Sequence, residues 1–191
     1  MAYRSAVPAL DEAAFRELLD ERGVLRPGAR VSPPRDRAFS VFAQRPNAVL
    51  EIAALKQQAA RFFGAKLGWT VDKDYRGDTP DTDAARIVVA TDDGTTSGTR
   101  IVFGRPADGA DVAAAEEAER TQGTSGMALL AQRCPTLWLV VVDSADDRVA
   151  LTIAAIFANT MLGPIVAADG KEIFGVRTAR LKLEGRATPY R

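Results

Sequence analysis

The longest apolar run of the chain lies in its C-terminal half. Residues 136–142 (TLWLVVV) form a nearly continuous β-branched and apolar stretch, which is typical of a strand covered on both faces. Residues 149–162 are apolar almost all round a helix, which predicts a second buried element. Between them, Ser144 and Asp147 have the spacing of a capping box, and Gly163 suits a left-handed helix end. The pattern therefore predicts a central strand followed by a buried helix.

Other segments show the two periodicities that distinguish helices from strands. Apolar residues at helical spacing predict four further helices, at residues 8–23, 47–64, 110–121 and 127–133. Short β-branched or alternating runs predict strands at residues 86–91, 99–103 and 171–184, and a shorter one near residue 69. Turn residues between the first two of these strands predict a hairpin. Residues 24–46 carry four prolines, which favours an irregular connection whose Val41 and Phe42 reach the core.

The order of these elements indicates the fold class. A strand, a helix and a strand in succession suggest a right-handed crossover, so the strands near residues 137 and 173 are expected to run parallel. The hairpin adds an antiparallel pair. We therefore predict an α/β or α+β fold with a mixed β-sheet, helices packed on its faces and an N-terminal helical pair. Residues 1–191 show no repeat or linker, which predicts a single globular domain.

The composition of the chain restricts the possible kinds of functional site more than it restricts the possible folds. The chain has no histidine and one cysteine, Cys134. Sites that need imidazole are thereby excluded within this chain, among them a Ser-His-Asp triad and a histidine-based pH switch. A lone cysteine forms no internal disulfide and suits a reducing compartment, so a cytoplasmic location is expected. Any catalysis would depend on carboxylates, lysine, tyrosine, arginine, backbone amides or an oxygen-bound metal ion.

The charge balance and the hydropathy of the chain indicate which partners are unlikely. Lysine plus arginine equals aspartate plus glutamate, which leaves no broad basic field for phosphates and makes nucleic acid an unlikely partner. The N-terminus carries early charges and lacks the apolar core of a signal peptide. Polar residues interrupt the only apolar stretch of sufficient length, so no membrane span is expected.

Two carboxylates follow directly on predicted strands. Asp92 and Asp143 each come after the C-terminal end of a strand, where ligands gather in open α/β sheets. If those strands run parallel, the two side chains could hold Mg²⁺ and serve hydrolysis or phosphoryl transfer. An aspartate after a strand also commonly caps a helix or forms a turn.

A glycine-rich break precedes the helix predicted at residues 127–133. Thr124 and Ser125 lie within the sequence QGTSG, and exposed amides at a helix start attract anions. The segment is not a P-loop, because no lysine follows the second glycine and a helix precedes it. The alternative is a plain junction between two helices, with Thr124 or Ser125 as the N-cap.

Arg177 is a charge in an apolar setting. In the strand predicted at residues 171–184 it projects from the same side as Ile173, Ala179 and Leu181. A charge there must be paired or must reach a cavity or an edge. The guanidinium could bind an anionic ligand, or it could pair with an internal aspartate.

These observations favour a soluble, non-catalytic binding or assembly module. It would act through a protein partner or by homo-oligomerisation. Two alternatives stay open: a Mg-dependent hydrolase or phosphotransfer enzyme using Asp92 and Asp143, and a small-molecule anion-binding domain using Thr124, Ser125 and Arg177. No cofactor is indicated by any motif.

Overall fold

The computed structural model describes residues 32–46, 48–70, 84–144 and 146–185. Its strands are β1 (Ala38–Ala43), β2 (Ala65–Thr70), β3 (Ala84–Thr91), β4 (Ser97–Pro106), β5 (Thr136–Val141), β6 (Ile165–Val166) and β7 (Ile173–Phe174). Its α-helices are α1 (Ile52–Phe63), α2 (Gly109–Gln122), α3 (Met127–Gln132), α4 (Arg148–Met161) and α5 (Val176–Leu183). All belong to one compact unit, Pro33–Arg191. The helix predicted at residues 8–23 lies outside the described residues, so the single-domain prediction for the whole chain stays a prediction.

The seven strands form one sheet in the order β2-β3-β4-β5-β1-β6-β7. Strand β5 lies in the middle, as its apolar sequence predicts, with Trp138 opposite Val41 of β1 and Val140 opposite Val102 of β4. Every described pair is antiparallel. The prediction that the strands near residues 137 and 173 run parallel is therefore wrong, because three successive antiparallel pairings lead from β5 through β1 and β6 to β7.

Helices cover the sheet on both faces, as predicted. On one face Trp138 and Val140 pack with α1, α4 and α5, and the Trp138 ring meets the Phe157 ring edge-on at 5.4 Å. On the other face Leu137 and Leu139 pack against α2 and α3. Burial of each such side chain contributes about 1.5–3 kcal/mol, so β5 and α4 form the centre of the core.

Strand β1 lies where the sequence predicted an irregular connection. Ala38–Ala43 is buried along its whole length between β5 and β6. The prolines at positions 33 and 34 precede the strand and leave its backbone donors intact. The expected burial of Val41 and Phe42 is confirmed, but their segment is a central strand.

The strand predicted at residues 171–184 is also wrong. Only Ile173–Phe174 is extended, and helix α5 follows. Alternation fitted this segment, yet Val176, Ala179 and Leu183 also recur at helical spacing and pack on the core. Two basic residues in the last turn further favour a helix, because its C-terminal end is partially negative.

The ends of α4 differ from the predicted ones for identifiable reasons. Its N-cap is Asp147, whose carboxylate accepts from the amide of Ala150, so Ser144 does not cap it. Its C-cap is Leu162, which takes the left-handed conformation at φ 59°. Gly163 serves another purpose, since a Cβ atom there would lie 1.9 Å from the carbonyl oxygen of Phe42. Helix α1 likewise begins later than predicted, with Glu51 as its N-cap.

Candidate functional site: an acidic groove beyond the central strand

The loop between β5 and α4 is built around one carboxylate. Asp147 accepts hydrogen bonds from the amide of Ala150 at 2.8 Å and from the amide of Asp143 at 2.9 Å. The first of these bonds starts helix α4, and the second closes the loop. Asp147 thereby fixes the direction in which the chain leaves the central strand.

Arg100 of β4 holds the same carboxylate from the side. Its Nε and Nη2 atoms donate to the two oxygens of Asp147 at 2.5 and 2.9 Å, and its Nη1 lies 3.1 Å from Asp143 Oδ2. Burial acts to raise the pKa of Asp147, but the bonds from Arg100 and the backbone outweigh it and hold that pKa below its usual value. The carboxylate is therefore charged and committed to the fold, whereas the Asp143 side chain is 70% exposed.

Asp92 and Asp143 have different surroundings in the structure, and their sharing of a Mg²⁺ ion stays a prediction. Both lie at the same end of the sheet, because β4 separates β3 and β5 and is antiparallel to each. Asp92 directly follows β3 and Asp143 lies two residues beyond β5, on opposite sides of β4. The described residues contain no group of three Asp, Glu, Cys or His side chains arranged to hold a metal ion.

Asp92 instead lines a separate cavity of about 410 Å³ beside the β3–β4 turn. Its amide donates to the carbonyl of Gly64 at 2.6 Å. In the neighbouring turn, Asp93 accepts from the amide and hydroxyl of Thr95 at 3.0 and 2.8 Å. The Thr91 hydroxyl and these bonds lower the pKa of Asp93 to about 2. This turn is ordered by its own side chains.

The predicted anion cradle is occupied by a side chain of the protein. The amides of Met127 and Ala128, which open α3, donate to Glu119 Oε1 at 2.6 and 3.1 Å. An external anion at Thr124 and Ser125 would have to displace this carboxylate. The Thr124 hydroxyl is enclosed without a hydrogen-bond partner among the described residues.

Arg177 does not lie on an apolar strand face. It is in the first turn of α5 and is exposed to solvent. The helical period puts Arg177 on the same side as Arg180 and Glu184, which are also exposed. The prediction that it binds an anion stays a prediction.

A groove of about 670 Å³ lies beyond the end of β5, and we call it the acidic groove. It is bordered by the start of β1, the β5–α4 loop, the β6–β7 turn and helix α5. Its lining comprises Asp36, Phe39, Val142, Ser144, Asp146, Asp147, Arg148, Leu151, Ala167, Ala168, Asp169, Glu172, Phe174 and Lys182. Aromatic and aliphatic side chains thus share one depression with several carboxylates.

The charges of the acidic groove do not balance. Asp147 is neutralised by Arg100, and Glu172 by Lys182 at 2.6 Å. The remaining carboxylates, Asp36, Asp146 and Asp169, outnumber the one remaining cation, Arg148, which donates to a backbone carbonyl. Within the described part of the chain, Asp36 and Asp146 form neither an ion pair nor a side-chain hydrogen bond. The groove therefore has a negative potential.

Lys182 shows how this groove accommodates a cation. Its Nζ atom lies 2.6 Å from Glu172 Oε2 and 5.3 Å from the centre of the Phe174 ring. The ammonium is thus held by a carboxylate and by the negative face of an aromatic ring. The lining of the groove also contains a second aromatic residue, Phe39, together with Asp36 and Asp169.

No family model, curated protein or solved structure matches this chain. The groove was not found from the sequence for two reasons. Glu172, Phe174 and Lys182 were assigned to one long strand, which would put Glu172 and Lys182 more than 30 Å apart by roughly 3.3 Å per residue. Ser144 and Asp147 were assigned to a capping box, whereas Asp147 is itself the N-cap and Ser144 lines the groove.

Proposed function

We propose that this chain is a non-catalytic binding module whose acidic groove takes a basic, partly apolar segment of a protein partner. The observation that carries the proposal is the excess of carboxylates around an apolar floor. Such a floor suits the alkyl stems of lysine and arginine, whose charged ends would reach the rim. The Lys182 contact supports this, because the chain's own cation already uses the same chemistry.

Charge complementarity favours a cationic occupant over an anionic one. An anion in the groove would face Asp36, Asp146 and Asp169 with one guanidinium to offset them. Like charges at such sites exclude wrong partners more effectively than matching charges attract right ones. A protein segment is preferred to a small amine because the groove is long and borders four different parts of the fold.

A peptide titration tests the proposal. A fluorescently labelled nonapeptide of alternating lysine and leucine is titrated with the protein, and binding is followed by anisotropy. We expect saturable binding that weakens with salt, and none by the matching glutamate–leucine peptide. The double variant Asp146→Asn/Asp169→Asn should weaken binding about tenfold.

The matched control removes two charges elsewhere. Glu116 and Glu117 are exposed on α2, on the other face of the sheet. The variant Glu116→Gln/Glu117→Gln should bind like the wild type. Equal losses in both double variants would show a non-specific charge effect and would contradict the groove.

Self-association stays a second, separate prediction. One observation bears on where it would occur: Val88 and Ile101 are 39% and 44% exposed on the half of the sheet that α2 and α3 leave uncovered. A mass that rises with concentration in light scattering, and that Ile101→Lys abolishes, would support it. None of the described helices is long and apolar enough to span a membrane, and a cytoplasmic location stays a prediction.

A further inference from the structure

Ser40 is a polar residue in the middle of the buried strand β1. Its sheet partners are Leu139 and Val166, and it is 5% exposed. Other buried hydroxyls donate to carbonyls: Thr136 to Arg45 at 2.6 Å and Thr152 to Arg148 at 2.8 Å. The Ser40 hydroxyl has no hydrogen-bond partner among the described residues. This hydroxyl is therefore not committed to a bond within the described residues and can pair with water or with a ligand.

The space beside Ser40 is a cavity of about 270 Å³, which we call the Ser40 cavity. It lies between the sheet and the start of α2, and its apolar wall includes Phe42, Val166 and Ala114. Thr124 is the sole described residue with a fully enclosed, unpartnered side-chain oxygen. The Ser40 hydroxyl therefore keeps accessible surface, and the cavity is the open space that Ser40 lines.

Some of the charged side chains at this cavity are already paired within the protein, and others are not. Asp111 lines it, but Arg105 donates to both of its oxygens at 2.6 and 2.7 Å. Arg35 donates to the carbonyl of Ala110 and lies 3.5 Å from Asp111 Oδ1. These charges hold the start of α2 in place and offer little to a ligand.

Asp36 and Asp169 are the open charges at the mouth. Both are exposed, and both border the acidic groove as well, which lies across the sheet end from the Ser40 cavity. Neither is in an ion pair within the described part of the chain, although Asp169 Oδ1 accepts from the amide of Lys171 at 3.0 Å. The cavity thus has a negative mouth, an apolar wall and one hydroxyl in its depth.

We propose that the Ser40 cavity is a second binding site, for small amines that carry a hydroxyl or phenol group at the opposite end. The ligand's hydroxyl group pairs with Ser40, its apolar body packs on Phe42 and Val166, and its ammonium reaches Asp36 and Asp169. The site is independent of the peptide groove in what it recognises, since a buried hydroxyl selects a polar group that a lysine stem lacks.

Three small molecules test each part of this recognition. Tyramine has both a phenol and an ammonium group, phenethylamine lacks the hydroxyl, and 4-ethylphenol lacks the amine. Each is titrated into the ¹⁵N-labelled full chain and followed by amide chemical shifts. We expect saturable binding of tyramine, with the other two about tenfold weaker.

The variant Ser40→Ala identifies the hydroxyl as the selective group. It should weaken tyramine about tenfold and leave phenethylamine unchanged, so that the two ligands bind alike. Because Ser40 lacks a protein partner, this variant should unfold at no lower urea concentration than the wild type, whereas Thr136→Val should unfold earlier. Lys–Leu peptide binding should be unaffected by Ser40→Ala, which separates this site from the groove.

Two outcomes would overturn the proposal. One is the absence of saturable tyramine binding at millimolar concentration. The other is unchanged tyramine affinity in Ser40→Ala with the fold intact.

Discussion

The ion pair between Arg100 and Asp147 offers a sharp test of what holds the groove in shape. The substitution Asp147→Asn keeps the size of the side chain and one acceptor oxygen. It replaces the other oxygen with an amide NH₂ donor, which then faces the donors of Arg100 or of a backbone amide. In the wild type, four hydrogen bonds converge on the two carboxylate oxygens of Asp147. At least two of them are lost in Asp147→Asn, because one of the two acceptor oxygens is gone.

The size of the expected stability loss follows from the burial of the ion pair. The Asp147 side chain is 1% exposed, and breaking a buried pair costs about 3–5 kcal/mol. Arg100 keeps the carbonyl of Thr99 at 2.7 Å and Asp143 at 3.1 Å, which favours the lower end of that range. We expect a loss of about 3 kcal/mol in the free energy of unfolding, or a midpoint lowered by about 6–12 °C. Urea titration and thermal unfolding followed by circular dichroism measure both quantities.

The same pair predicts a dependence on pH. The folded-state pKa of Asp147 lies below its unfolded value of about 3.9, since bonds from Arg100 and the backbone outweigh burial. The unfolded chain therefore takes up this proton first as the pH falls. The stabilisation is complete above about pH 5 and is lost as the pH falls through the folded-state pKa. The difference between wild type and Asp147→Asn should shrink in that range.

Asp92→Asn is the matched control, because it makes the same chemical change at an exposed carboxylate at the same end of the sheet. It should stay within about 0.5 kcal/mol of the wild type. The reasoning is refuted if Asp147→Asn is as mild as this control at pH 7. If the difference in unfolding free energy between the wild type and Asp147→Asn stayed constant between pH 7 and pH 3, the stabilisation could not come from the charge of the Asp147 carboxylate.

Further predictions concern the backbone and the cysteine. Gly163→Ala should lower the free energy of unfolding in a urea titration by about 3 kcal/mol or more, because the added Cβ would meet the Phe42 carbonyl. As the control, Gly109→Ala at the open start of α2 should raise that free energy by about 0.5 kcal/mol. Leu162→Gly should raise the thermal midpoint, since glycine relieves a left-handed conformation that costs about 1 kcal/mol. Cys134 is buried, which raises its pKa, so a disulfide reagent should label it slowly at pH 7.5 and rapidly in denaturant.

Local sequence signals were sufficient for the elements that carry a long, unambiguous pattern. Strand β5 was predicted from its short, nearly continuous β-branched and apolar run, and helix α4 from its longer run that is apolar almost all round. The β3–β4 hairpin was predicted because its turn residues restrict the backbone strongly. In these segments the local preference and the tertiary structure agree.

The remainder depends on contacts that no local pattern encodes. Strand β1 is short and follows two prolines, and it is extended because β5 and β6 pair with it on both sides. Helix α5 fits two periods equally well until its apolar face packs on the core. The acidic groove combines residues from distant segments, so it could be recognised only once the fold was known.

The position of β1 also orders the events of folding. Val41 pairs with Trp138 and with Ile165, so β1, the first of the described strands along the chain, depends on two strands that are synthesised much later. Strands β2, β3 and β4 pair with sequence neighbours and can form a meander early. During synthesis, both edges of β1 stay exposed until most of the chain has left the ribosome, and such unpaired edges invite aggregation. Pairing over this separation also slows closure of the sheet, so the rate-limiting step of refolding is expected to be the insertion of β1 between β5 and β6.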